Sequence, residues 1–266
     1  IQKYKGETEL NLKFLINYFA SEEDESSIFT TKIKVINLNK THLTYYDWNK
    51  EVKEYGMDYD HLDMWDVSGK IIGLRNRGDV TTMNVEGLAL TDRSGFRLDS
   101  LSAHVLVNSR KIKLDKLIVK TPYSNIVTKG VELNFEGYEN LSNFVEDVRL
   151  FANVEMSSIN MKDLSYFVPS LEEYDFLINL MAEVEGPVND LNLSSLFVSV
   201  SEGTYFDGDV SLKGLPNIDS TQVALNINVL QTSKMDLETI DFTKFGIMEK
   251  VEISGQLSSL GGIFVM

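Results

Sequence analysis

The chain has 266 residues, 43% of them hydrophobic, which is enough to bury a core and excludes disorder for most of its length. Its 25 basic and 40 acidic residues give a net charge of −15. That balance disfavours a nucleic-acid partner, which needs a basic footprint, and disfavours docking on anionic membranes through a basic patch. Cysteine is absent, so a disulfide scaffold and thiolate metal sites are excluded and the compartment is left open.

In chain order, residues 10 to 20 carry Leu12, Leu15, Ile16 and Phe19 at helical spacing. The acidic stretch from Ser21 to Ser27 follows as a solvated linker. From Thr30 the period becomes two: Ile33 and Val35 alternate with Lys32 and Lys34, and a second register carries Leu43 and Tyr45. Residues 46 to 61 are polar and aromatic and predict a loop or ribbon. Strand patterns then crowd together, at Met83 and Val85, at Phe96 and Leu98, and at Ala103, Val105 and Val107. Ile112 and Leu114 lead into Leu117 and Val119, residues 121 to 125 break the run, and Val131, Leu133 and Phe135 resume it. Asn108-Ser109 and the stretch from Asp92 to Gly95 suit hairpin turns. Residues 139 to 147 and 162 to 175 predict short helices or turns, the second limited by Pro169.

Beyond Gly186, one parity carries Val198, Val200, Phe206, Val210, Leu212, Val223, Leu225, Ile227 and Val229. The other carries Asp207, Asp209, Ser211, Lys213, Asn226 and Asn228, as an antiparallel meander with one wet face requires. The expected apolar face is therefore Val105, Val107, Ile112, Leu114, Val131, Leu133, Phe135, Val198, Val200, Phe206, Val210, Leu212, Val223, Leu225, Ile227 and Val229.

The pattern also recurs at long range. The stretch from Ala182 to Leu193 is matched from Val251 to Leu260, with Gly186 and Gly255 in equivalent places, and the stretch from Val154 to Leu164 is matched from Ile227 to Leu237. A restarted strand pattern builds an elongated stack of sheet and not a closed globule around one pocket. The expected organisation is an N-terminal helix and acidic linker over 1–28, then a repetitive β-sheet over 29–266. Its repeat-like units span about 83–168 and 182–250, with a third begun at 251. The start at Ile1 and the stop within an apolar stretch at Met266 suggest a fragment of a longer protein.

Catalytic constellations are absent from the sequence pattern: there is no P-loop, no GxGxxG and no Ser/His/Asp spacing. His42, His61 and His104 lack metal-ligand spacing, and His104 suits an outward strand position. The acidic cluster from Asp58 to Asp66 lacks the glycine and closing glutamate of an EF-hand, so a solvated, metal-free ribbon is expected. Asp207 and Asp209 fit a hairpin flank. Tyr45, Tyr46, Trp48, Tyr55, Tyr59 and Trp65 could stack on sugars, but their more ordinary use is to pack a ribbon onto the end of a sheet. No cofactor is expected, and no residue stands out as catalytic.

Several stretches together resemble the TamB family of the AsmA-like superfamily, its Bacteroidetes branch in particular. They are Glu9 to Phe19, Tyr55 to Asp63, Ser94 to Ala103, Leu117 to Pro122, Gly186 to Leu191, Leu212 to Pro216 and Thr232 to Leu237. The resemblance covers most of the chain through the order of its motifs. It implies a mainly β protein, an elongated twisted antiparallel sheet folded into an open apolar trough (a β-taco). It further implies periplasmic localisation, an inner-membrane anchor upstream of Ile1, and an outer-membrane barrel partner of the Omp85 type at the missing C-terminal end. The implied function is a bridge that carries phospholipid acyl chains towards the outer membrane, with no catalytic residues. Two other readings compete with it: an assembly factor that templates β strands along an open sheet edge, and a sugar-binding β module.

Overall fold

The structure is a computed structural model that describes residues 1–11, 30–200, 203–217, 220–232, 251–254, 258–260 and 263–265. The helix expected over 10 to 20 lies, from residue 12 onward, outside the described residues, as does the acidic linker. Eleven strands follow one another from β2 to β12, each antiparallel to its neighbours in sequence. They are β2 (Thr30–Asp47), β3 (His61–Arg77), β4 (Val80–Asp92), β5 (Arg97–Asn108), β6 (Lys111–Lys120) and β7 (Asn125–Asn134). Then come β8 (Arg149–Asn160), β9 (Leu177–Gly186), β10 (Asp190–Ser199), β11 (Tyr205–Lys213) and β12 (Gln222–Thr232). A two-residue strand, β1 (Gln2–Lys3), lies parallel to the end of β2. At the far edge β12 pairs with β13 (Val251–Ser254) and β15 (Ile263–Val265), and β15 pairs with β14 (Ser258–Leu260). The architecture is one long, open, mainly β sheet, with short helical segments at Tyr138–Asn143, Phe144–Asp147, Met161–Ser165 and Pro169–Leu171.

One strand escapes the sequence pattern, and the strand direction changes at the far edge. Strand β3 has no place in the strand pattern drawn from the sequence, because Gly69 and Gly73 interrupt its alternation. The repeat also departs from itself at the far edge. β9 runs antiparallel to β8, whereas β13, its counterpart in the repeat, runs parallel to β12.

A line of irregularities crosses the middle of the sheet. Register shifts fall between Leu38 and Thr41 of β2, Trp65 and Ser68 of β3, Val85 and Leu88 of β4, and Ser102 and His104 of β5. They continue at Thr128 of β7, between Val154 and Ser157 of β8, between Ser194 and Phe197 of β10, and at Asp207 and Gly208 of β11. Lys40, Asp66, Lys116 and Ser195, all non-glycine, take positive φ on this line. A bulge bends its strand and increases the local twist. Bulges aligned across consecutive strands therefore crease the whole sheet.

The crease decides burial. Among the described residues only eleven hydrophobic side chains are buried, and Val67, Ala103, Val105, Ala182, Leu196 and Ile227 all lie on or beside the crease on one face. Thr128, Ser157 and Gly208 are buried on the same face. Opposite them, His104, Lys116, Lys129, Glu183 and Asn226 are exposed. No second layer of described strands covers the sheet. The two arms of the sheet shield the crease, so the apolar face is the concave one.

One rim is tied together by loops. The β2–β3 loop reaches the β8–β9 insertion through Tyr55 Oη and Ser165 Oγ at 2.8 Å and through Met57 N–H donating to Tyr166 O at 2.7 Å. Five strand spacings, about 24 Å in a flat sheet, separate β3 from β8, so these segments bridge that distance along the rim. Phe96 in the β4–β5 turn meets Tyr166 and Phe167 edge-on. Buried Asp163 accepts hydrogen bonds from Thr121 Oγ1 at 2.6 Å and from Ser124 Oγ, which fastens the insertion to the β6–β7 turn.

The crease is sterically tight where β3 meets β4. A Cβ on Gly69, at φ +144°, would sit 2.8 Å from Leu88 Cα, whereas one on Gly73, at φ +65°, meets nothing. Gly69→Ala should destabilise by about 2 kcal/mol or more through clash and strain. Gly73→Ala should cost only about 1 kcal/mol, the left-handed penalty alone. Urea denaturation of the two variants checks the order, and equal midpoints would show that the crease is not a close-packed element.

Candidate functional site: an apolar trough

The concave face is built from cross-strand rows. One row runs Met83, Val105, Leu114, Val131, Ala152, Val184, Leu193, Val210, Leu225, each directly opposite the next, across nine strands. At about 4.8 Å per strand, this row is about 38 Å long. A second row on one side of it runs Val107, Ile112, Leu133, Leu150, and Leu191, Leu212 and Val223 continue that side further along. Beyond the crease, Leu180, Val198, Phe206 and Leu230 form a third row. Apart from Val105 these side chains are half-buried, shielded by neighbours yet reachable from the mouth.

Thirteen of the sixteen residues expected on the apolar face occupy these rows or, for Ile227, the crease opposite Gly208. Three do not. Val229 stands opposite Asp207, because the bulge at Gly208 shifts β12 and gives the place opposite Phe206 to Leu230. Phe135 lies one residue past β7, buried against Tyr138 with ring centroids 6.0 Å apart. Val200 lies past β10, and its side chain is exposed. The expectation also omitted Leu150, Ala152, Val184, Leu191 and Leu193, although Val184, Leu191 and Leu193 alternate with Glu and Asn and carry the same signal.

The convex face carries paired charges. Lys111 and Lys113 pair with Glu132, Lys113 also with Asp115, and Arg149 with Glu185. Asp207 and Asp209 accept hydrogen bonds from Asn228 Nδ2 and Asn226 Nδ2. His104 is exposed on this face and bonds Asn84 Oδ1.

The expectation of a solvated ribbon from Asp58 to Asp66 is overturned for Asp58 and His61. Asp58 is 2% exposed and His61 is 0% exposed. Asp58 Oδ2 accepts from Lys53 N–H, from Arg93 Nη2 at 3.2 Å and from His61 Nδ1 at 3.0 Å. Tyr46 and Trp48 stack 5.1 Å apart beside the His61 ring. Sequence spacing suggested exposure because acidic runs are usually wet, but the backbone N–H of Lys53 and the Arg93 cation replace the lost water. Burial pushes the Asp58 pKa up, and the Lys53 N–H together with His61 outweighs it, so the carboxyl stays below its usual value. Hydrogen bonds from His42 and Tyr46 hold Asp63 down as well. This network anchors the loop at the rim. Among the described residues, no group of three His, Asp or Glu side chains could hold a metal ion, and no helix is long and apolar enough to cross a membrane.

Compared with known proteins, the chain matches no family model, no curated protein and no solved structure.

Because the folded pKa of Asp58 lies below its unfolded value, the stability it contributes is fully present above about pH 4 and is lost as pH falls through the folded pKa. Asp58→Asn should lower stability at pH 7 by about 1–3 kcal/mol and flatten the loss of stability in acid. Denaturation midpoints at pH 7 and pH 3 check both, and a variant that keeps the full acid dependence would remove Asp58 from the anchor.

Proposed function

We propose that this chain is a lipid-transfer scaffold that carries phospholipid acyl chains along its trough without chemistry. The reading is that of a bridge-like periplasmic protein of the TamB kind, tethered upstream and ending at an Omp85-type barrel. The observation that carries it is the unbroken row of nine apolar side chains from Met83 to Leu225, all but Val105 half-buried, on a concave face with no described layer above it. Exposing an acyl chain to water costs about 0.8 kcal/mol per CH₂, on the order of 10 kcal/mol for sixteen carbons. A continuous apolar floor removes most of that cost at every position along its length. Every side chain of the row from Met83 to Leu225 is apolar, so a chain can slide along it without a deep trap.

The competing assembly-factor reading needs a sheet edge that accepts strands. Among the described residues, β2 from Thr31 to Leu43 has no strand partner on its outer side. That edge carries Lys32, Lys34 and Lys40 and a bulge at Lys40, features that discourage edge-to-edge pairing. The edge chemistry therefore favours the conduit over the template.

Val210→Asp or Leu225→Arg places a charge in the central row. In a closed core it would cost several kcal/mol and prevent folding, whereas in an open trough the charged end can reach water. The variants should stay folded by circular dichroism and, in the full-length protein, fail to support envelope integrity. A photo-crosslinker at Leu212 or Leu225 should capture phospholipid in cells, and one at Asn226 should not. Equal labelling from both faces, or none from either, would sink the conduit and leave the assembly reading ahead.

A further inference from the structure

The net charge of −15 hides a strong local reversal. Residues 30 to 40 and 67 to 77, the paired halves of β2 and β3, contain Lys32, Lys34, Lys40, Lys70, Arg75 and Arg77 and not one acidic residue. Lys32 stands directly opposite Arg75, a like-charge pair that works against the sheet. Arg77 pairs with Thr30 two positions further along the same face. Lys32, Arg75 and Arg77 line a recess of about 470 Å³ together with Thr30 and Asn76. The side chains of Lys32, Arg75 and Arg77 make no ion pair or hydrogen bond among the described residues, whereas Lys111, Lys113 and Arg149 of the convex face are all paired with acids. Edge protection accounts for the lysines of β2. It does not account for Arg75 and Arg77, which lie on β3, a strand paired on both sides.

We propose that this recess, at the strand ends of β2 and β3, docks the chain on an anionic phospholipid surface by binding headgroup phosphates. Two guanidinium groups and an ammonium around one concavity suit a phosphate, because a guanidinium can offer two parallel N–H donors to its oxygens. Exposed aliphatic side chains at the same end of the strands, Ile33, Val35 and Val80, suit an interface between headgroup and acyl chain better than a soluble phosphate ester. The net charge of the chain does not forbid this. At physiological salt, charges more than about 8 Å apart through water are largely screened, so the groups near the recess govern the contact, the three cations outnumbering Asp79 of the β3–β4 turn, which is engaged by Ser109. The recess lies at the strand ends of β2 and β3, outside the central row that begins at Met83 of β4, and does not depend on that row.

The test is flotation of the purified chain with vesicles of phosphatidylcholine alone and with 30% phosphatidylglycerol added. The chain should bind the anionic vesicles selectively, and binding should weaken between 50 and 300 mM salt. Each cation removed should cost about fivefold, so Arg75→Gln with Arg77→Gln should lose about 25-fold. Both residues are exposed, and an unchanged melting temperature checks that the variant is folded. Lys111→Gln with Arg149→Gln, which removes the same charge from paired positions elsewhere, should lose far less. Equal binding to both vesicle types, or equal losses in the two double variants, would overturn the proposal. So would displacement by millimolar inorganic phosphate without vesicle selectivity, which would indicate a soluble phosphate ligand. Binding of a polyglutamate peptide in place of anionic vesicles would assign the recess to an acidic protein. Flotation reports on the recess and co-purified lipid reports on the trough, so either proposal can fail alone.

Discussion

The constraint on which the rest depends is that a single sheet must shelter its own apolar face. In a sandwich a second sheet packs about 10 Å away and removes that face from water. Here the strands pair only with their neighbours, and the described residues provide no second sheet. The bulge line is the answer to that constraint. It bends each strand near its middle, so that Val67, Ala182 and Ile227 at the crease become almost as inaccessible as core residues, while Leu114 and Val210 further out stay half-open. Small residues at the crease, such as Ala103, Ala182, Gly69 and Gly208, let the arms approach, and larger ones line the walls.

The same geometry accounts for the polar anchors. A creased sheet held only by its own ladder could open, since each bulge removes a ladder hydrogen bond. The rim network opposes this. Asp58, His61, Arg93 and Asp163 are placed where loops from distant strands meet, and their hydrogen bonds hold the β2–β3 loop, the β4–β5 turn, the β6–β7 turn and the β8–β9 insertion along one edge. Buried charge is costly unless it is paired, so these groups act as position-specific locks. A greasy contact at the same place could slide, whereas a carboxylate satisfied by an arginine, a histidine and a backbone N–H fits only one arrangement.

Alternation was legible, and the bulges were not. Val105, Leu114, Val131, Val210 and Leu225 share one row because period two holds between bulges, and that period is written in the residues. Val229 shows where it stops. The run Val223, Leu225, Ile227, Val229 is perfect in sequence, yet one inserted residue hands the inner place to Leu230. Glycine marks some bulges, at Gly69 and Gly87, but Lys40, Asp66, Lys116 and Ser195 adopt positive φ with no glycine to announce it. Strand β3 was hidden for a related reason, since Val67, Gly69, Ile71, Ile72 and Leu74 follow no single parity once two glycines interrupt them. The buried Asp58 could not be found from spacing, because its partner Arg93 lies 35 residues away and meets it only through the fold.

This division of labour between wall and crease bears on what the trough can hold. A closed barrel of this strand count would fix one internal cross-section. An open crease fixes only the floor, because no described strand joins the two arms across the mouth. On the proposed reading, walls of branched aliphatic side chains would offer no hydrogen bond to a passing headgroup, so selectivity would not arise along the central row. It would come from the places where polar groups stand beside the apolar face, and in this chain those places are the strand ends: the tied rim around Asp58 and Asp163 on one side and the cations of β2 and β3 on the other. On the proposed reading, passage and recognition would be separated in space, with an aliphatic middle that favours movement and charged ends that can discriminate.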